Sequence, residues 1–147
     1  MEQIHISNKK AYFEFEILEK FVAGMVLTGT EIKSIRSGKA NLSDAFCSFT
    51  GTELFVRNLH ISEYELGTHY NHEPKRMRKL LLKKKELRKL LAKVKEKGLT
   101  IVPLKMFLSG TGYAKIEIGL AKGKKIHDKR DSIKEKDMKR DMARSQD

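Results

Sequence analysis

Tryptophan is absent from the chain, proline occurs twice and cysteine once. With Cys47 alone no intramolecular disulfide can form, so burial and hydrogen bonding must hold the fold, and a reducing compartment is the simplest setting. Long apolar runs are missing too. Nothing approaches the roughly 18 apolar residues of a membrane span, and Met1 to His5 is neither a basic leader nor the start of an apolar one. A soluble cytoplasmic protein without membrane contact is expected. Acidic residues are outnumbered, 19 against 31 basic, and the net charge of +12 over 147 residues favours a polyanionic partner over a small acidic substrate.

The constellations that carry catalysis are also lacking. Of the five histidines, His5, His60, His69, His72 and His127, only His69 and His72 are close enough to share a metal, and no carboxylate cluster lies beside them. Gly110-Thr111-Gly112 stands between two strand-like runs with no helix after it, which makes it a hairpin turn and not a phosphate loop. No Ser/His/Asp or Cys/His spacing is informative. The expectation is a protein that is not an enzyme and needs no metal or cofactor.

Charge is present in blocks. Residues 1–74 carry 7 basic and 10 acidic side chains, 75–97 carry 12 and 2, 98–120 carry 2 and 1, and 121–147 carry 10 and 6. Such concentration points to residues 75–97, with Arg76, Arg78 and Lys79, and to the tail as the RNA-facing elements.

Periodicity supplies the elements. Phe13, Phe15 and Ile17 alternate with Tyr12, Glu14 and Glu16 as in a half-buried strand over 11–17. Thr28 and Glu31 form a capping box before Ile32 and Ile35, and Gly38 supplies the stop. Residues 45–50 and 53–61 flank Gly51-Thr52 as a hairpin. Residues 62–74 read as a surface loop. Leu87, Leu90, Leu91 and Val94 make one helix stripe ended by Gly98, and residues 100–108 and 113–120 make a second hairpin. Phe13, Phe15, Phe46, Phe49 and Phe55 are placed in strand cores, and Cys47 reads as a small core residue. Five or six short strands with two or three short helices predict a mainly β fold, an OB-like, closed or nearly closed antiparallel barrel over residues 1–120, with an open α+β sandwich as the competing layout. Residues 121–147 have few apolar side chains and dense mixed charge, and read as a basic tail, disordered when free and helical when bound.

Four stretches then stand out: Asn8-Lys9-Lys10-Ala11, the run from Gly29-Thr30-Glu31-Ile32 through Lys39-Ala40-Asn41, Arg78-Lys79-Leu80-Leu81-Leu82, and Gly119-Leu120-Ala121-Lys122-Gly123-Lys124-Lys125 followed by His127-Asp128-Lys129-Arg130. In order and separation they resemble the SsrA-binding protein family, the partner of transfer-messenger RNA in bacterial ribosome rescue. The resemblance implies an OB-like barrel on the tRNA-like end of that RNA and a tail in the empty mRNA channel of a stalled ribosome. It also implies that Asn8, Lys9, Glu31, Arg36, Lys39 and Asn41 lie at or beside the RNA, with Lys122, Lys124 and Lys125 following, and that His127, Asp128, Lys129 and Arg130 meet small-subunit rRNA at the decoding centre. Lys134, Lys139 and Arg140 would lie near phosphates farther along. Lys83 departs from the His or Asn common in relatives. For Glu31 the capping box alone is the plainer role, but a carboxylate can also accept hydrogen bonds from base or ribose donors, so the two roles can coexist. The protein is expected to be a monomer when free. The rival readings are a ribosomal protein held permanently on rRNA and an enzyme acting on RNA.

Overall fold

The computed structural model describes residues 4–66, 71–96, 98–108 and 113–124. In chain order these form β1 Ile4–Ser7, α1 Lys9–Glu14, β2 Phe15–Met25, α2 Gly29–Arg36, β3 Ala40–Asn41, β4 Phe46–Thr50, β5 Glu53–Arg57, β6 His60–Ile61, β7 Arg78–Leu81, α3 Lys84–Val94, β8 Leu99–Leu108 and β9 Ala114–Gly123. Six of the strands close on themselves. β2 pairs with β7 and β9, β9 with β8, β8 with β4, β4 with β5 and β5 with β7, every pair antiparallel. The ring is thinnest between β4 and β8, where Cys47 opposite Ile101 is the one registered pair. β1 lies along the far half of β8, and β3 pairs with β6 as a separate two-stranded ribbon. The expected mainly β, nearly closed barrel is the fold.

Its interior is aliphatic: Leu54, Val56, Leu59, Ile61, Ile101, Met106, Ile116 and Ile118 are all at most 1% exposed. A ring of six strands encloses less space than the roughly eight-stranded barrels that side chains just fill, and Phe21 is the one phenylalanine among the buried residues of its core. Phe13, Phe15, Phe49 and Phe55 are only half-buried, and Phe46 is exposed, contrary to their expected place in strand cores. Cys47 is buried as expected.

A second, smaller cluster of Ala11, Val102, Leu104 and Ala121 sits where α1 packs against the sheet, with Phe15 and Ile17 beside it. Gly119 permits this close packing, because a Cβ there would lie 3.0 Å from both Ile17 and Leu104.

Local signals placed several elements well. The hairpin turns at Gly51-Thr52 with Thr50 opposite Glu53, Thr28 caps α2 in a full capping box, and Gly38 and Gly98 take positive φ. The expected strand over 11–17 is instead the end of α1 followed by the start of β2. Asn8 is the reason. Its Oδ1 accepts from the Ala11 amide at 3.3 Å and its Nδ2 donates to the Pro103 carbonyl at 2.9 Å, starting a helix where the alternation suggests extension. The run read as 53–61 breaks at Asn58, which has φ 58°, and restarts as β6 in the other sheet. β9 continues past Leu120 to Gly123, and the Lys124 amide donates to the Glu14 carbonyl at 3.0 Å.

Candidate nucleic-acid interface

α2 is fixed to the start of β7 by a buried ion cluster. The Thr28 amide donates to Glu31 Oε1 at 2.9 Å, and Arg76 Nη2 donates to the same oxygen at 2.7 Å. Arg78 Nε donates to Glu31 Oε2, Nη1 to the Leu59 carbonyl at 2.5 Å and Nη2 to the Pro74 carbonyl at 3.0 Å. Glu31 and Arg78 are each 0% exposed. Burial pushes the Glu31 carboxyl up, but hydrogen bonds from Arg76, Thr28 and Arg78, with the Arg78 charge, outweigh it and hold the group below the usual carboxylate range. Burial lowers Arg78 in turn, against the opposing pull of Glu31. Glu31 and Arg78, expected at or beside the RNA, therefore spend these hydrogen bonds on the protein, and neither presents surface in this structure. They hold α2, the Leu59 turn and the Pro74 loop together. Arg76 keeps about a third of its side-chain surface (35%).

His72 is buried in the same region, with Nδ1 2.9 Å from Thr30 Oγ1 and Nε2 2.8 Å from the Ile61 carbonyl. The carbonyl requires a proton on Nε2, leaving Nδ1 to accept from the hydroxyl. That is a structural histidine. His69 lies outside the described residues, among which no group of three or more His, Cys, Asp or Glu side chains could hold a metal ion. No described helix is long and apolar enough to cross a membrane.

Around this frame the separated sequence stretches converge. Lys10 Nζ lies 3.8 Å from Asp44, and a hollow of about 230 Å³ between them is lined by Asn8, Lys10, Ser43, Asp44 and Phe46, among others. Asp44 also lines a neighbouring hollow of about 220 Å³, with Asn41, Asn58, His60 and Lys75. Asn41 Oδ1 accepts from the Ser43 amide at 2.8 Å, which sets the turn leading to Asp44. Lys39 adjoins through the β3–β6 ribbon, its carbonyl accepting from the Ser62 amide at 3.0 Å. Its ammonium meets Glu65 at 2.5 Å, and the Glu65 carboxyl is lowered by that hydrogen bond and charge. Arg36 is exposed in the last turn of α2, and Lys9 at the first residue of α1. The result is a polar strip running Lys10, Asp44, Asn41, His60, Lys75, with Lys39 adjoining it and Lys9 and Arg36 exposed nearby in sequence. Asn8, expected at the RNA, is 4% exposed and supports Lys9 and Lys10 as the α1 cap.

Other expected residues fall elsewhere. Lys79 lies farther along β7, paired with Glu53 at 3.1 Å. Lys122 and Lys124 lie at the end of β9 beside β2 and α1. Lys125, His127, Asp128, Lys129, Arg130, Lys134, Lys139 and Arg140 lie outside the described residues. Asp44, Asn58 and His60 were not picked out from sequence. Only the left-handed backbone of Asn58 distinguishes them, and that appears with the fold.

A family model described as SmpB protein matches residues 5–147. The chain belongs to the SmpB family. Among SmpB relatives, the SsrA-binding protein of Flavobacterium psychrophilum is 58% identical over 144 residues, covering 98% of this chain and 96% of that protein. The SsrA-binding protein of Cytophaga hutchinsonii is 57% identical, covering 98% and 94%. A solved SmpB chain, from work described as "tmRNA-SmpB: a journey to the center of the bacterial ribosome", superposes with a TM-score of 0.71 at 50% identity over 84% of this chain and 86% of that one.

Proposed function

We propose that this chain binds the tRNA-like part of transfer-messenger RNA and delivers it to stalled ribosomes for trans-translation, as a cytoplasmic, monomeric adaptor that performs no catalytic step. The observation that carries this reading is identity above one half, over nearly the full length, to proteins named for binding SsrA. The polar strip supplies the chemistry. Lys9, Arg36, Lys39 and Lys75 offer charge to phosphates, while Asn41, Asn58 and His60 offer the donors and acceptors that meet ribose hydroxyls and unpaired bases. Residues 125–147 then act on the ribosome, with His127, Asp128, Lys129 and Arg130 at the decoding centre and Lys134, Lys139 and Arg140 along the empty mRNA channel.

The test is a salt titration of binding to a transcript of the tRNA-like domain. Each phosphate contact removed should flatten the slope of log affinity against log salt by roughly 0.7 to 0.9. Lys9→Gln, Arg36→Gln and Lys75→Gln combined should lower affinity and slope together. An unchanged slope would remove the strip from the interface, and equal affinity for an unrelated hairpin RNA would remove the assigned partner.

A further inference from the structure

β4 and β8 meet at a single registered pair, Cys47 opposite Ile101, and next to it Phe46 and Val102 both border the hollow of about 230 Å³. α1 supplies another wall of the hollow through Lys10, Ala11 and Glu14. Its size limits what can enter. Pockets for whole small molecules run to roughly 300–1,000 Å³, so this one suits a single planar group carried by a larger molecule. The lining indicates which group. Phe46 is 42% exposed, and an aromatic ring left in solvent beside a hollow is a surface on which a base can stack. Asp44, with 82% of its side-chain surface open, places Oδ1 3.8 Å from Lys10 Nζ. That is an ion pair but too long for a hydrogen bond, and the Asp44 carboxylate accepts no hydrogen bond among the described residues.

We propose that this hollow takes one unpaired guanine of the bound RNA, stacked on Phe46 and read by Lys10 and Asp44. The inference rests on the polar strip being an RNA surface and assigns one base to one place on it. An ammonium beside a carboxylate offers donor, acceptor, acceptor in a row. The Watson–Crick edge of guanine presents the complement: O6 accepts from Lys10, while N1–H and N2–H donate to the two oxygens of Asp44. No other standard base matches. Uracil sets its O2 against the carboxylate, and cytosine and adenine each set an acceptor nitrogen there and a donor against the ammonium. Unstacked bases are read in this way, on their edges and from one face. The volume favours a base within a chain over a free nucleotide, whose ribose and phosphates need room that the hollow does not supply.

The experiment measures binding of the full chain to short single-stranded uridine RNAs at one salt concentration, with guanosine, adenosine, cytidine or inosine at the central position. The guanosine RNA should bind at least about fivefold tighter than the adenosine, cytidine and all-uridine RNAs. Inosine, which lacks only the N2 amino group, should fall between. Asp44→Asn should abolish the guanosine advantage, because one carboxylate oxygen becomes a donor. Phe46→Ser should weaken the guanosine RNA by about fivefold or more. Both positions are exposed, and thermal melting checks that the variants fold. Equal affinity for all the RNAs, or a guanosine preference that survives Asp44→Asn, would overturn the proposal. Guanosine monophosphate binding as tightly as the guanosine RNA would overturn it too, by making the ligand a free nucleotide. The tRNA-like transcript is titrated in parallel: if it binds while the short RNAs show no base preference, the guanine site alone is rejected, and if neither binds, the RNA-binding strip falls with it.

Discussion

Arg78 carries positive charge inside a stretch that looks, by composition, like an RNA-binding face, yet its charge is directed inward to Glu31. Removing one partner of such a pair leaves the other buried and uncompensated, at a cost of about 3–5 kcal/mol. Glu31→Gln should lower the urea midpoint by the equivalent amount, with the loss appearing in stability before any change in RNA affinity of the folded fraction. The carboxyl sits below its ordinary value of 4.5 in the fold, so its contribution is present above that value and is lost as pH falls through the lower folded value. The stability gap between wild type and Glu31→Gln should therefore be constant near neutrality and narrow below about pH 4.5. A gap that stays the same width from about pH 6 to pH 3 would show that the ionised carboxylate is not its source. Cys47 is perturbed in the other direction, because burial raises its thiol far above the usual range. Thiolate is the reactive form. Alkylation by iodoacetamide should then be slow in buffer and rise with urea in parallel with global unfolding, and rapid modification of the native protein would contradict the buried core position.

At the scale of elements, the sequence is legible where the determinants are local. The α2 capping box lies within four residues, the β4–β5 turn within two, and the α3 stripe repeats along one helix. It is misleading where a distant partner decides. α1 exists because Asn8 reaches Pro103, 95 residues away, and Arg78 is internal because Glu31 lies 47 residues before it. Neither separation leaves a periodic trace. β7 is hidden for a related reason: two of its four residues are cationic, one buried with Glu31 and one facing out, so its alternation does not look apolar. The α1 account can be tested. Asn8→Ala removes a cap, about 1 kcal/mol, and orphans a buried carbonyl, about 1–3 kcal/mol. Asn8→Asp keeps an oxygen for the Ala11 amide but cannot donate to Pro103, so it should recover little of the loss in chemical denaturation. Full recovery by Asp would mean that the cap alone sets α1.

The whole molecule combines a ring that few sequence features announce with an ending that matters to it. Small size, short strands and two hairpins pointed to a barrel, but closure depends on β2 bridging β7 and β9 over eleven residues and on the single Cys47–Ile101 register between β4 and β8. The same ring sets where the chain can be cut. Ala121 is 0% exposed, Lys122 pairs with both Glu16 and Leu99, and Gly123 pairs with Phe15. A chain ending at Leu120 should therefore lose part of the barrel seam and melt well below the full-length protein, whereas one ending at Lys124 should match it. Residues 125–147 carry eight basic and six acidic side chains, a small net charge beside that of residues 75–97. The chain ending at Lys124 should for that reason keep both its affinity for the tRNA-like transcript and nearly the full salt slope. If the tail acts only on the ribosome, this variant should nevertheless fail to support peptide tagging in a reconstituted stalled-ribosome assay. Loss of transcript binding by a Lys124-terminated protein that still unfolds cooperatively would place the tail in the RNA interface, and full tagging activity would remove it from the decoding centre.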